Sequence, residues 1–402
     1  MPKKSDADCI YLDHHATTPM DERVFLAMKP FFCSKFGNAN STTHAYGWQA
    51  ADVVEEARKL VASAINAHPT EIVFTSGATE STNMALKGLF FPKPTMAKRH
   101  VVSSTIEHSA TLSTLAALEA AGVRVSLIKP SQEGLIQEAA LKHSLTPDTA
   151  LVSLFLVHNE VGSINHIQNL ARIAHEHGAL FHCDAAQALG KIAIDCQALD
   201  IDMMSLSGHK AYGPKGMGCL YIRRRVMEHI CPLIHGGGQE WHKRSGTLNV
   251  PGIVGMGEAC RLAAAGVSLE SKRIRHLRDR LVQHVMVLEG VHINGSMEER
   301  VCGNLHVSFD GIDGEELVLG ICHRVAVSTG SACSARAGGS SHVLQELGIP
   351  ASLRQASLRF GLGRFTTEAE IDEAAELIVE QVKRLRRSQP TPKKLIKLTK
   401  DS

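Results

Sequence analysis

Short apolar runs alternate with amphipathic segments between about residues 50 and 265. Runs such as "RHVVSST" and "RVSLI" predict strands, whereas "IQNLARIAHEHG" has the spacing of a helix with one apolar face. Because strands alternate with helices, we predict a mostly parallel α/β sheet, whose ligands bind beyond the carboxyl ends of the strands. Further strands are predicted at "EIVFTSG", "ALVSLFLV", "ALFHCDA", "DMMSLSG" and "GCLYIRR", and further helices at "TESTNMALKGLF" and "SATLSTLAALEAAG".

The pattern changes after about residue 265. The segment "LESKRIRHLRDRLVQHVMVLEG" predicts a long, charged, amphipathic helix that connects two domains. We therefore expect a large domain over 19–266 and a small α+β domain built from 1–18 and 267–402. The basic tail "SQPTPKKLIKLTKDS" is expected to be solvated or loosely docked. Elements of the small domain are predicted at "NLHVSFDG", "GEELVLGICHR", "VAVSTG" and "EAEIDEAAELIVEQVKRLRR".

Composition narrows the class of protein without identifying a function. The 402 residues are 44% hydrophobic and 21% charged, which is typical of a soluble globular chain. Lys plus Arg number 43 against 41 Asp plus Glu, and aromatic residues make only 4%, so nucleic-acid binding is not expected. The N-terminal residues lack the apolar region of a signal peptide, and the run "ALVSLFLV" is too short to span a bilayer. We expect a cytoplasmic protein.

The ten cysteines show neither C-x-x-C nor zinc spacing, so we expect no disulfides and no metal site. Most of them lie in apolar runs and are interpreted as small buried side chains. Cys333 differs, because "STGSACSARAGGSS" surrounds it with small and polar residues that cannot form a core. This setting indicates a thiol with a chemical role.

Two strand ends offer places for charged groups, the first for an anion and the second for a cation. A strand ends at Thr75, and small residues from Ser76 to Thr79 then begin a helix. Free N–H groups and the helix dipole can bind a phosphate there, although an ordinary strand–helix turn has the same pattern. Asp184 ends another apolar strand, where a buried carboxylate needs a cationic partner such as a protonated ring nitrogen. A capping role for Asp184 is the alternative.

Lys210 directly follows a third strand in "DMMSLSGHKAYGPKG", whereas Lys215 lies in a Pro-Gly turn, where a surface lysine is expected. A desolvated lysine has a lowered pKa and can form a Schiff base. A phosphate cradle, a buried Asp and a cleft lysine together are what pyridoxal phosphate needs. Each signal alone is weak, so the combination carries this prediction.

The chain resembles the cysteine desulfurases, in particular the branch that supplies sulfur for iron–sulfur clusters. The resemblance implies a fold-type I pyridoxal phosphate enzyme, with a mostly parallel, seven-stranded-type sheet in the large domain, and a homodimer. It extends nearly from end to end. The matching segments are "YLDHHATTP", "FGNANSTTHAYGWQA", "EIVFTSGATES", "HNEVG", "DAAQALGK", "SGHKAYGPKG", "HGGGQE", "RSGTLNVPGIVGMG", "GSACSA" and "SLRFGLGRFTTEAEID".

The resemblance also implies how the cofactor is bound. Lys210 would hold pyridoxal phosphate as a Schiff base, and Asp184 would pair with the ring nitrogen. Gln187 would contact the ring hydroxyl, and His108 would stack on the ring and assist proton transfer. Thr247 would reach the phosphate of the neighbouring subunit. The residues implied at the phosphate of the chain's own cofactor are Ala78, Thr79, Ser207 and His209.

The substrate and the sulfur acceptor follow from the same resemblance. Asn159 and Arg359 would bind a cofactor oxygen and the carboxylate of L-cysteine, because the planar fork of Arg grips a carboxylate at two points. Cys333 would accept the sulfur of the substrate as a persulfide, and the rest of the substrate would leave as alanine. The sulfur would then pass from Cys333 to an iron–sulfur scaffold protein or another acceptor. From the residues alone, a helix cap for His108 and a surface salt bridge for Arg359 are the competing interpretations.

Several features leave alternatives open. Cys183 beside Asp184, the two histidines of "LDHHATT" and His158 before Asn159 depart from the usual family pattern. A selenocysteine lyase or an aminotransferase could share the fold, but an aminotransferase does not need the Cys333 segment. A non-catalytic sulfur-relay subunit is a further alternative, which the presence of Lys210 and Asp184 disfavours.

Overall fold

The computed structural model describes residues 9–91, 97–329 and 341–388. The helices are α1 (Glu22–Met28), α2 (Pro30–Cys33), α3 (Ala45–Ala64), α4 (Ala78–Lys87), α5 (Ser109–Ala120), α6 (Glu138–Ser144), α7 (Ile167–Glu176), α8 (Arg224–Met227), α9 (Val250–Val285), α10 (Gly314–Ile321), α11 (His342–Glu346), α12 (Ala351–Gln355) and α13 (Glu368–Ser388). The strands are β1 (Ile10–Tyr11), β2 (Ile72–Thr75), β3 (His100–Ser104), β4 (Arg124–Ile128), β5 (Thr149–Phe155), β6 (Leu180–Asp184), β7 (Met203–Ser207), β8 (Gly218–Ile222), β9 (Val291–Ile293), β10 (Asn304–Phe309), β11 (Val325–Ala326) and β12 (Ser357–Gly361).

A seven-stranded sheet forms the centre of the larger part, with the order β2-β8-β7-β6-β5-β3-β4. Neighbouring strands from β7 to β4 are parallel, whereas β8 is antiparallel to both β7 and β2. The predicted α/β fold with a mostly parallel sheet is therefore confirmed. Every residue of β5 and of β7 is buried, which explains why these strands are continuous apolar runs rather than alternating ones.

A second apolar core lies beside a smaller antiparallel sheet with the order β12-β10-β9. Helices α10 and α13 contact one another in this core, and β1 from the start of the chain pairs with β11. The smaller part is thus α+β, as its sequence pattern predicts. The domain boundaries of 1–18, 19–266 and 267–402 stay a prediction.

Helix α9 joins the two cores and begins earlier than predicted. The prediction of a helix over 269–290 was wrong at both ends, because the helix begins at Val250 and ends at Val285. Its first half is rich in glycine, which disfavours a helix locally. Close packing explains these glycines, because a Cβ on Gly257 would lie 2.8 Å from the Cα of Ala57 in α3. Tertiary contact with α3 therefore outweighs the local preference.

Among the described residues, α9 is also the one helix long and apolar enough to span a membrane. Half of its most apolar 18-residue window is buried inside the protein. A buried core helix meets the same criteria of length and composition. Helix α9 packs on α3, as a core helix does.

A cluster of charges fixes α7 beside the sheet. The Nδ1 atom of His175 lies 2.9 Å from Asp200, and its Nε2 atom lies 2.7 Å from Asp202. Arg223 and Arg225 pair with the same two carboxylates at 2.6 and 2.8 Å. The hydrogen bond to Asp202 raises the pKa of His175 against the opposing effect of burial, with a further contribution from Asp200.

This raised pKa predicts that the melting temperature depends on pH. Because the folded pKa of His175 exceeds the unfolded value of about 6.5, its stabilisation is complete below that pH and is lost as the pH rises through the folded pKa. We expect His175→Asn to lower the melting temperature by about 1–2 °C at pH 6 and by less at pH 9. His143→Asn, at an exposed position of α6, is the control. An equal loss at both pH values would contradict this prediction.

Candidate active site

A cavity of about 520 Å³ lies at the carboxyl ends of β5, β6 and β7. These strands place Phe155, Asp184 and Ser207 on its wall. The beginning of α4 forms another side, and Arg359 from β12 reaches the cavity from the smaller sheet. The cavity therefore lies where the carboxyl edge of the parallel sheet meets the second core, as expected for an α/β fold.

The phosphate-binding features lie at the start of α4. Gly77 precedes the helix with φ +154°, and none of the described side chains caps the first turn. A Cβ on Gly77 would have no atom of the described residues within 4 Å. The backbone N–H groups of Ala78 and Thr79 begin the helix, and Ser207 and His209 line the same cavity. This donor set suits an anionic group.

One carboxylate also lines this end of the cavity. Glu80 is paired with Arg244 at 2.9 Å and accepts a hydrogen bond from the Ser76 N–H at 2.8 Å. Although burial acts in the opposite direction, these hydrogen bonds lower the pKa of Glu80. Because Arg244 balances its charge, Glu80 does not present an unpaired carboxylate to an incoming phosphate.

Asp184 ends β6 and is only 9% exposed. One of its oxygens accepts a hydrogen bond from the Ala186 N–H at 2.9 Å. A second buried carboxyl group, that of Glu107, accepts a bond from the N–H of Phe155, the residue opposite Asp184 in the ladder. Burial and the charge of Asp184 raise the pKa of Glu107 well above its usual value. This shift favours the protonated, uncharged form of Glu107.

Lys210 lies in a single 3₁₀ turn directly after β7. Its Nζ atom donates to the backbone carbonyl of Ala16 at 2.7 Å and to that of His15. His209 contacts Thr17 of the same segment at 3.0 Å, and burial with nearby lysines lowers its pKa to about 4. The N-terminal segment therefore forms the wall against which the lysine rests.

His108 both caps a helix and lines the cavity. It is the N-cap of α5, where its Nδ1 atom accepts a hydrogen bond from the Ala110 N–H at 3.1 Å. It also lines the cavity. Because Nδ1 is the acceptor, the proton of the neutral ring is on Nε2. The helix cap thus fixes the tautomer and the orientation of a cavity histidine.

Arg359 is 2% exposed, so the interpretation as a surface salt bridge is wrong. It pairs with Asp13 at 2.8 Å and donates to the backbone carbonyl of Asn159 at 3.1 Å. Its Nε atom has no partner among the described residues. The backbone N–H of each of Arg359 and Ser328 donates to the backbone carbonyl of the other, and these two bonds hold β12 at Arg359. Arg359 is therefore a rigid, buried cation on the cavity wall.

Gln187 forms the centre of a chain of side chains that joins distant segments. Its Oε1 atom lies 2.5 Å from the Nζ atom of Lys191 and 3.1 Å from Nδ1 of His15. Its Nε2 atom donates to the His15 carbonyl at 2.9 Å. Burial and the charge of Lys210 lower the pKa of Lys191 to about 7.

The structure brings ten of the twelve predicted site residues into this cavity. Thr247 is exposed and does not line the cavity of its own chain, and Cys333 lies outside the described residues. The roles of all twelve stay predictions. The predicted residues on the cavity wall are Ala78, Thr79, His108, Asn159, Asp184, Gln187, Ser207, His209, Lys210 and Arg359.

Sequence analysis assigned no role to His15, Lys191 or Glu107. Lys191 ends the segment "DAAQALGK", and Glu107 directly precedes His108. The one signal that the sequence offered for these two residues was their nearness, along the chain, to a predicted site residue. That signal is weak because such residues are usually on the surface.

The residues present fit pyridoxal phosphate. The start of α4 suits a phosphate, the buried Asp184 carboxylate suits a protonated ring nitrogen, and Lys210 lines the same cavity.

Comparison with known proteins shows similarity over most of the chain. The aminotransferase class-V family model matches residues 10–374. A cysteine desulfurase IscS from Anaeromyxobacter sp. (strain K) is 47% identical over 95% of this chain and 94% of its own length. A solved NifS-like protein covers 94% of this chain and all of its own, with a TM-score of 0.87 and 38% identity. A structure of SspA in complex with cysteine has a TM-score of 0.79 and 34% identity, and it covers 89% of this chain and 99% of its own.

The ion pair at the start of α4 predicts a charge effect on cofactor binding. Arg244→Gln leaves the Glu80 carboxylate unpaired beside the phosphate, so we expect the affinity for pyridoxal phosphate to fall about tenfold. Replacing Glu80 by Gln in the same chain removes that charge and should restore most of the affinity. Absorbance titration of the apoprotein measures both. If the double variant binds no better than Arg244→Gln, charge is not the cause.

Proposed function

Because the chain belongs to the cysteine desulfurases of the class-V aminotransferase family, we propose that the residues lining its cavity carry out the reaction on L-cysteine. The enzyme is an L-cysteine desulfurase that depends on pyridoxal phosphate. One observation supports this placement above the others. Lys210, Asp184 and the start of α4 come from three separate segments and meet in one cavity.

Pyridoxal phosphate, when bound, supplies an electron sink for the substrate's Cα atom. Its phosphate would be held by the N–H groups of Ala78 and Thr79. Asp184 would face the ring nitrogen, and Gln187 would donate to the ring hydroxyl through its amide nitrogen. The His108 ring would lie against the cofactor with its Nε2–H available for proton transfer, since Nδ1 is occupied by the cap. Ser207 and His209 would complete the phosphate site.

The same cavity offers a site for the substrate. Arg359 would bind the carboxylate of L-cysteine, because it is buried and its Nε–H has no partner among the described residues. Asn159, whose carbonyl accepts a bond from Arg359, would complete that contact. Lys210 would take the proton from Cα.

Cys333 would accept the sulfur. Its thiolate attacks the substrate sulfur, a new S–S bond forms, and the S–Cβ bond of the substrate breaks. The electron pair stays with the carbon, which takes up protons to become the methyl group of alanine. The persulfide left on Cys333 would pass its sulfur to an iron–sulfur scaffold protein or another acceptor.

We also propose a homodimer in which Thr247 of each chain reaches the phosphate in the partner. Thr247 is exposed, and it follows Arg244, which is anchored to Glu80 at the phosphate end of the cavity. The adjoining residues Glu240 to His242 all have φ near +50 to +64°, a strained geometry held by the buried ion pair between Glu240 and Arg58 at 2.7 Å. A cytoplasmic location stays a prediction.

Replacing the sulfur acceptor tests the proposed reaction. We expect Cys333→Ala to retain bound, yellow pyridoxal phosphate and to release no sulfide from L-cysteine, because the cofactor residues are intact and the acceptor thiol is missing. Cys322→Ala removes an exposed thiol elsewhere in the chain and should keep full activity. Alanine and sulfide are quantified together, with and without a scaffold protein. Undiminished turnover in Cys333→Ala would remove this thiol from the mechanism.

The dimer is tested by mass and by cofactor affinity. Sedimentation of the holoenzyme should give twice the 43.5 kDa of one chain. Thr247→Val should leave this mass unchanged but weaken pyridoxal phosphate binding about 3- to 10-fold, the effect of one lost hydrogen bond. A single-chain mass, or unchanged affinity in the variant, would contradict the shared site.

A further inference from the structure

His15 is a wall residue of the cavity to which no role has been assigned. It is 1% exposed and lies in the segment whose carbonyls contact Lys210. Its Nδ1 atom bonds to Gln187, whereas its Nε2 atom has no hydrogen-bond partner among the described residues. A buried polar atom without a partner lowers stability, so its presence at a binding cavity requires an explanation.

The contacts of Gln187 fix which ring nitrogen of His15 carries the proton. The Gln187 atom that faces the Lys191 Nζ atom must be the oxygen, because the lysine is a donor. The atom that faces the His15 carbonyl must be the amide nitrogen, because a carbonyl only accepts. Both contacts require the same amide orientation. Nδ1 of His15 therefore donates to an oxygen, and Nε2 is the unprotonated acceptor.

The surroundings keep this ring neutral. Burial, together with the charges of Lys191, Arg359 and Lys210, lowers the pKa of His15 well below its usual value. The Nε2 atom therefore remains an acceptor at neutral pH. It can accept a hydrogen bond from a neutral donor, but it does not become a cation that would attract a thiolate or a carboxylate.

The polar groups of L-cysteine differ in what they can offer such an atom. The carboxylate has only acceptor oxygens and is the partner proposed for Arg359. The amino nitrogen is the atom at which the cofactor and Lys210 act. The remaining donor is the thiol. Resting on the function proposed above, we propose that Nε2 of His15 accepts a hydrogen bond from the S–H group of the bound cysteine and so distinguishes it from alanine.

This contact suits the chemistry of sulfur transfer. A neutral S–H group is a better target for the Cys333 thiolate than a second thiolate, which would repel it. A neutral imidazole of low basicity holds the S–H without removing its proton. The sulfur then moves to Cys333 with its hydrogen, giving a persulfide, while the carbon retains the electron pair of the broken bond. His15 would be a specificity residue for the thiol and not a base.

Two substitutions separate the functions of the two ring nitrogens. In His15→Asn, the short amide places an N–H near the position of Nδ1, so it keeps the bond to Gln187 but has no group at Nε2. In His15→Gln, the longer side chain can place its oxygen near Nε2. Both are made together with Cys333→Ala, so that L-cysteine binds without turnover. Melting temperature and bound cofactor show whether each variant is folded and loaded.

Binding of L-cysteine and of L-alanine is measured by the change that each causes in the cofactor absorbance. We expect His15→Asn to weaken L-cysteine binding about 3- to 10-fold and to leave L-alanine binding unchanged, since alanine lacks only the thiol. His15→Gln should restore part of the preference. Equal weakening of both amino acids, or no change in either, would overturn the assignment. If neither amino acid changes the spectrum when His15 is intact, the proposed function fails instead.

Discussion

The shared ending of three parallel strands is the constraint on which the site depends. In the ladder, Phe155 of β5 lies opposite Asp184 of β6, and Asp184 lies opposite Ser205 of β7. A shift of one residue in any strand would turn its terminal side chain to the opposite face of the sheet. Because each strand is buried along its length, such a shift would also expose apolar side chains. The same packing that stabilises the sheet therefore fixes Asp184 in relation to Lys210, which follows β7.

Polar side chains beneath this edge are satisfied within the sheet itself. His182 lies on the same face of β6 as Asp184, two residues earlier, and burial lowers its pKa to about 3. Its ring nitrogens bond to the hydroxyls of Ser153 and Ser205, each at 2.9 Å, and Ser205 also accepts a bond from Thr82 at 3.1 Å. A buried polar group is tolerated when its bonds are complete. Both ring nitrogens of His182 are therefore hydrogen-bonded, whereas Nε2 of His15 has no partner in the part of the chain that the structure describes.

Sequence predicted the parts of the molecule that depend on local pattern. Strands such as "ALVSLFLV" are recognisable because burial on both faces makes them continuous apolar runs, and Lys210 was identified because it directly follows another buried strand. The early start of α9 was missed because its glycines disfavour a helix locally, whereas tertiary packing, such as that of Gly257 on α3, requires small residues there. The bond between His15 and Gln187 joins residues 172 positions apart, and no local pattern encodes such a distance. The proposed position of Thr247 at the phosphate depends on a second chain, so the contacts within one chain do not reveal it.

Burial sets the electrostatics of the cavity, because it lowers the pKa of a histidine or a lysine, whereas a guanidinium keeps its charge. Burial keeps His158 and His209 neutral, with pKa values lowered to about 3 and about 4, so these rings contribute hydrogen bonds and no charge near neutral pH. The positive charge that attracts a phosphate and a carboxylate therefore comes from residues such as Arg359, which stays protonated. Lys191 differs, because its lowered pKa of about 7 lets its charge change in the physiological range. Its Nζ atom carries N–H groups in either state, so it can donate to Gln187 whether charged or neutral, and the orientation of that amide survives the change in charge.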